Sequence, residues 1–151
     1  MKTTDAGATW TSVPSGLSTA TIGLYAVDFA SDGLTGYAVG TSGNVTKTTD
    51  GGASWTQLTS GVTTALNDVW TADGTTVFVA TSAGNLRKST DGGATWTVVY
   101  TGVSYTVQKL EGDGTTFMAA GTAGNVRVST DGGYHGQLQT PVWQQQMFTG
   151  I

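Results

Sequence analysis

TTDGGASW, Thr48 to Trp55, is the stretch whose reading decides the fold, because near-copies of it recur along the chain. TTDAGATW spans Thr3 to Trp10, STDGGATW spans Ser89 to Trp96, and STDGGYHG, Ser129 to Gly136, is a copy that has lost its tryptophan. The aspartates Asp5, Asp50, Asp91 and Asp131 lie 45, 41 and 40 residues apart, the spacing of a repeat protein. An aspartate followed by glycines suits a tight turn: the carboxylate accepts bonds from nearby backbone N–H groups, and glycine tolerates positive φ. The motif therefore closes a hairpin, and the tryptophan opening the next strand offers apolar surface to a neighbouring unit.

Two further marks divide each repeat. Gly43-Asn44, Gly84-Asn85 and Gly124-Asn125 are turn dipeptides, and 12 residues before each asparagine stand the aspartates of Asp32-Gly33, Asp73-Gly74 and Asp113-Gly114. Three turns separate four strands. The second repeat is expected to hold strands at 24–30, 36–41, 45–49 and 54–59, and the third at 66–71, 76–81, 86–90 and 95–100. The fourth begins with strands at 105–110, 116–121 and 126–130. Tyr37, Phe78 and Met118 share one position of the second strand, Val39, Ala80 and Ala120 lie two residues on, and the intervening Ala38, Val79 and Ala119 are also apolar. A strand apolar on both faces is covered on both faces. The expectation is an all-β propeller of four-stranded antiparallel blades. Residues 1–20 would give the third and fourth strands of a split blade. Residues 21–60, 61–101 and 102–139 would form blades, the last with a degenerate box, and 140–151 a closing or extension segment.

Composition narrows the functional classes. Of 151 residues 23 are glycine, 2 are proline and none is cysteine, which excludes disulfides and thiolate metal sites. A net charge of −4 leaves no basic footprint for nucleic acid. No apolar run is long enough for a membrane-spanning helix, and the chain enters its first repeat at once, with no room for a signal peptide. Such a start suggests an array cut within a repeat.

The pattern [ST]-x-D-x-G-x-[ST]-W resembles the Asp-box, or bacterial neuraminidase repeat, of sialidases, related glycosidases and the propellers of photosystem II assembly factors. GYAVGTSGNVTKTTDGGASW, Gly36 to Trp55, is especially similar to the last group. The resemblance implies that the boxes are folding elements on the turn between the third and fourth strands. Their residues here are Asp5, Gly7, Trp10, Asp50, Gly52, Trp55, Asp91, Gly93, Trp96, Asp131 and Gly133. It also implies that active sites in the family's enzymes lie on the opposite face. A sialidase would require an arginine cluster, a tyrosine paired with glutamate and a catalytic aspartate. This chain has Arg87 and Arg127 as its only arginines, neither in the family's catalytic motif, and Glu111 as its only glutamate, beside the Asp113-Gly114 turn on the box side. His135 is the single histidine, and each Asp-Gly turn offers one isolated carboxylate where calcium needs six to eight oxygens. No enzyme activity, metal or cofactor is expected.

Up-and-down strands put the Gly-Asn turns and the links between blades on the face opposite the boxes. Near that face stand Lys47, Arg87, Lys88, Arg127 and Tyr105. On the innermost strands Val27, Asp68 and Gln108 are read as one position, two residues before Phe29, Trp70 and Leu110. Asp68, Gln108 and Trp70 could then line the central channel as a polar site with an aromatic platform for sugar; alternatively Trp70 packs between blades and Asp68 is solvated. The best-fitting function is a non-catalytic module that binds a glycan or protein partner or acts as a scaffold. The alternatives are a fragment of a secreted sialidase-like glycosidase, or a structural or receptor-binding part of a phage virion, with an extracellular or virion-surface location. An unclosed propeller exposes apolar flanks and strand edges. Gln137 to Gln139 could finish the last blade, and Val142 to Phe148 could pair with the amino-terminal strands of the same chain or of another copy. Assembly between copies, a homo-oligomer that completes the ring, is the favoured expectation.

Overall fold

The computed structural model describes residues 1–18, 23–100 and 106–130. Tyr105, Asp131, Gly133, His135, the strand at 137–139 and the segment 140–151 lie outside the described residues.

Within them the fold is a stack of antiparallel sheets. The first blade has strand order β1 (Leu24–Phe29), β2 (Gly36–Gly40), β3 (Asn44–Thr48), β4 (Thr56–Thr59). The second repeats it with β5 (Leu66–Thr71), β6 (Val77–Thr81), β7 (Leu86–Ser89) and β8 (Thr97–Tyr100). The third contributes β9 (Val107–Gly112), β10 (Phe117–Gly121) and β11 (Val126–Ser129). Ahead of the first blade, Lys2 and Thr11 bridge antiparallel across the first box.

Turn chemistry fixes these strands. In the first turn of blade one, Asp32 Oδ1 accepts from the backbone N–H groups of Leu34 and Thr35, both at 2.8 Å, and Asp73 and Asp113 do the same in their blades. At the Gly-Asn turns the asparagine amide closes the loop: Asn44 Nδ2 donates to the Thr41 carbonyl (2.7 Å) and Asn125 to that of Thr122 (2.9 Å). Gly43 sits at φ +72, and a Cβ there would fall 2.0 Å from the Val62 carbonyl oxygen, so the turn and the following inter-blade link admit no side chain. On the opposite face, the box glycines Gly51 and Gly92 donate to the Leu34 and Thr75 carbonyls (2.9 Å each), binding each box to the first turn of its own blade.

The core lies between blades. Tyr37, Val39 and Val45 of the first blade meet Leu66, Val69, Val77 and Val79 of the second; Trp70, Phe78, Ala80 and Leu86 of the second meet Val107, Leu110, Phe117 and Ala119 of the third. Fully burying a side chain of this size stabilises by about 1.5–3 kcal/mol, so burial of these side chains is what holds neighbouring sheets together. Polar side chains cross the same seams onto backbone: Tyr37 Oη donates to the Gly74 carbonyl (2.7 Å), Lys47 Nζ to that of Gly92 (3.0 Å), and Asp28 accepts from Thr71 N–H (2.8 Å).

Two findings correct the sequence expectations. The innermost strands are offset by one residue from the alignment above. Opposite Val39, Ala80 and Ala120 stand Ala26, Asp68 and Lys109, so Val27, Asp68 and Gln108 do not share a position. The cause is that the first turn shortens blade by blade, from residues 30–35 to 72–76 to 113–116, while the later turns keep their length. Second, cover on both faces holds only inside the stack. Tyr37 and Phe78 are 0% and 1% exposed but Met118, at the same position in the third blade, is 43% exposed; Val27 is 59% exposed whereas its counterparts Val69 and Leu110 are 2% and 1%. Each exposed residue faces an end of the stack.

Candidate functional site

The boxes are self-satisfied turns. Asp50 Oδ1 accepts from Thr48 Oγ1 (2.7 Å) and the N–H groups of Ala53 and Ser54 (2.9 Å each), and Oδ2 from Ser54 Oγ (2.5 Å). Thr48 Oγ1 in turn accepts from Gly52 N–H (2.9 Å), where φ is +82. Asp5 and Asp91 repeat the pattern with Thr3 and Thr9, and with Ser89 and Thr95; Gly7 and Gly93 hold φ +93 and +88. The Thr9 and Thr95 hydroxyls, then the adjacent N–H donors, hold the Asp5 and Asp91 carboxyls down to about 2, and the Ser54 hydroxyl depresses Asp50 further. Donors already occupy these oxygens. Trp10 and Trp96 close the turns by donating indole N–H to Gly7 and Gly93 carbonyls at 3.1 Å. Trp96 packs against the seam between blades one and two, Trp55 meets Phe29 edge-on at 6.1 Å, and Trp10 is exposed.

The expected sugar site on the innermost strands does not assemble. Trp70 is buried between blades two and three, 5.9 Å from Phe78 and 5.4 Å from Phe117. The ring is core, because its side of β5 packs against the third blade. Asp68 is neither solvated nor available: it is buried, accepts from Leu110 N–H at 2.6 Å and pairs with Lys109 Nζ at 3.2 Å. Gln108 is exposed.

Arg87 belongs to a different place, a cavity of about 610 Å³ on the Gly-Asn face between blades one and two. One wall is the Gly-Asn turn of blade one, another the link Ser60 to Thr64, and the third the start of β7 with Asn85 and Arg87. Arg87 donates from Nη2 to the Trp96 carbonyl (3.2 Å) and lies against Gly61, whose φ is +74. Its Nε is shielded from solvent and has no hydrogen-bond partner among the described residues. Gln57 Nε2 donates to Asn44 Oδ1 (2.9 Å) across the cavity wall, and Leu58, Val62 and Val98 supply apolar surface. Neutral amides, hydroxyls and one guanidinium suit carbonyl and carboxylate acceptors. Arg127 holds the same position in β11; residues 101–105, Tyr105 among them, lie outside the described residues. Sequence reasoning chose Arg87 and this face but not the link residues Ser60 to Thr64, whose Ser, Gly and Thr content reads as plain loop.

Among the described residues no group of three or more His, Cys, Asp or Glu side chains could hold a metal ion, and no helix is long and apolar enough to cross a membrane.

The family model for photosynthesis system II assembly factor YCF48 matches residues 1–137. The chain belongs to that family. No curated protein sequence matches it. Among solved structures it is similar to YCF48 bound to D1 peptide, with a TM-score of 0.68 at 18% identity, covering 83% of this chain and 42% of that one. It is similar to YCF48 from Cyanidioschyzon merolae, with a TM-score of 0.67 at 22% identity, covering 77% and 36%. The GH74 enzyme of Niastella koreensis gives 0.65 at 24% identity, covering 79% and 23%. These likenesses establish the propeller fold, and the chain spans less than half the length of each structure it matches.

Proposed function

We propose that this chain is a non-catalytic propeller module that binds an extended segment of a protein partner in the cavity between blades one and two. The observation that carries this is Arg87, a guanidinium at the wall of a cavity otherwise lined by amides and hydroxyls, with one N–H unsatisfied. Arg87 borders the cavity, and its guanidinium carries a planar fork of N–H donors that matches a peptide carbonyl or carboxylate. The chain's family supports a protein partner over a glycan, since one of its solved structures holds a peptide. The same reading includes completion of the ring between copies of the chain.

The test is an array of immobilised decapeptides probed with labelled chain, alongside a glycan array. A set of peptides whose affinity drops at least tenfold in Arg87→Ala, with no glycan bound, is the expected result. Peptide binding indifferent to Arg87→Ala, or binding to glycans alone, would overturn the proposal.

A further inference from the structure

Asp-Gly occurs six times in this chain, and the dipeptide is prone to rearrange because glycine has no Cβ to keep its nitrogen off the preceding carboxyl. The reaction needs a carboxyl folded back over its own turn and a glycine N–H free to leave its place. All three first turns meet the first condition: Asp32, Asp73 and Asp113 each accept through Oδ1 from the N–H groups two and three residues on, at 2.7–2.9 Å. The second condition separates them. Gly33 N–H donates to the Ala30 carbonyl (2.9 Å) and Gly74 N–H to Thr71 Oγ1 (3.0 Å), while in the boxes the Leu34 and Thr75 carbonyls hold the N–H groups of Gly51 and Gly92. Gly114 N–H meets no acceptor among the described residues. Asp131-Gly132 lies outside them.

The cause is the length of the turn. Ala30 N–H donates to the Thr35 carbonyl (2.8 Å) across four residues, whereas Asp113 N–H donates to the Thr116 carbonyl (3.0 Å) across Gly114 and Thr115 alone. The first central residue of a two-residue hairpin turn keeps its N–H out of the ladder, and Gly114 takes that place at φ +98. The turn is also open: Gly74 is buried, but Asp113 and Gly114 are both exposed, and a Cβ on Gly114 would meet only Ala72 Cβ, at 3.9 Å. Charge does not choose between the first and third blades. The N–H groups of Thr35 and Leu34 hold the Asp32 carboxyl below its usual range, and those of Thr116 and Thr115 do the same for Asp113.

We propose that Asp113-Gly114 is a site of spontaneous covalent modification, where the folded chain converts to isoaspartate while the other described Asp-Gly pairs are held. The Gly114 nitrogen attacks Asp113 Cγ; the N–Cγ bond forms as a Cγ–O bond breaks, and the amide proton leaves with the carboxyl hydroxyl as water. Water then opens the five-membered succinimide at either carbonyl. Addition at Cγ restores aspartate. Addition at the main-chain carbonyl leaves the chain running through Cβ and Cγ, one carbon longer at the turn that joins β9 to β10, with a free carboxylate on Cα and the mass unchanged.

Trypsin separates the candidates after incubation. Leu110 to Arg127 carries Asp113-Gly114 alone, Thr3 to Lys47 carries Asp32-Gly33, Thr48 to Arg87 carries Asp50-Gly51 and Asp73-Gly74, and Ser89 to Lys109 carries Asp91-Gly92. The full chain is held for weeks at neutral pH, folded or in guanidinium chloride. Each peptide is then scored for a second chromatographic peak of identical mass that an isoaspartyl methyltransferase labels. Folding is expected to slow conversion at least tenfold in the other three peptides and less than threefold in Leu110 to Arg127. Asp113→Glu, which sets the carboxyl one carbon further off, should remove the second peak of that peptide. Slowing in Leu110 to Arg127 as deep as in the others would overturn the proposal, and so would a labelled second peak that survives Asp113→Glu.

Discussion

Replacing Trp70 by alanine separates a core residue from a ligand platform. The indole packs on Phe78 and Phe117 within 6 Å, beside a Phe78–Phe117 stack at 4.3 Å, and leans on the backbone where a Cβ at Gly112 would come within 3.0 Å of its ring. Backbone on one side and two aromatic rings on the other leave little room to collapse into the gap. The upper part of the range for such truncations, about 4 kcal/mol, therefore applies, against a total stability of about 5–15 kcal/mol for a domain. With a urea m-value near 2 kcal/mol/M, the midpoint should fall by about 2 M, followed by far-ultraviolet circular dichroism at one chain concentration. Trp70→Phe keeps an aromatic ring in the cluster and should lose less than half as much. A Trp70→Ala chain within about 1 kcal/mol of the parent that had nonetheless lost binding to a sugar would refute the reasoning, because the ring would then have to face solvent.

Three more expectations follow from the same geometry. Val69→Ala removes two buried methyl groups at about 0.8 kcal/mol each, about 2 kcal/mol with the void, whereas Val27→Ala should cost under about 0.5 kcal/mol; equal losses in urea titrations would contradict the assigned flanks. Asp5 and Asp91 titrate near 2 in the folded chain and near 3.9 when unfolded. Their contribution is present above about pH 4 and drains away as pH falls toward 2, so urea midpoints should drop across that window and Asp91→Asn should flatten the slope. Gly33→Ala, at φ +66 with open space around it, should cost the left-handed penalty of about 1–2 kcal/mol. Gly93→Ala, at φ +88 with its Cβ 2.6 Å from Leu58 Cδ1, should cost more by calorimetry, since overpacking adds to the strain.

Most of the fold was legible because its causes are local. Asp-Gly and Gly-Asn corners mark their own positions, so the second strand of the third repeat, expected at 76–81, runs Val77–Thr81, and the first, expected at 66–71, runs Leu66–Thr71. The innermost strands were misaligned because their register answers to a turn whose length drifts, and a bulge at each strand's start hides the slip. The site was less legible. Asp68 and Trp70 carry chemistry that suits a ligand, and only the packing of the neighbouring blade reveals that the carboxylate serves Leu110 N–H and the indole serves the core. Arg87 stood out by charge, whereas the cavity it borders is made by a link that touches it across a seam and leaves no pattern in sequence.

The groups that reach across each seam share one property. Tyr37 and Lys47 donate to carbonyls, and Asp28 and Asp68 accept from amides, so every one of these tethers grips main chain in the following blade. Main chain is the same whatever side chain it bears. A blade can thus be duplicated, or drift in sequence at the gripped positions, without breaking the hold of the one before it, and the array can lengthen or diverge by evolution while keeping its joints.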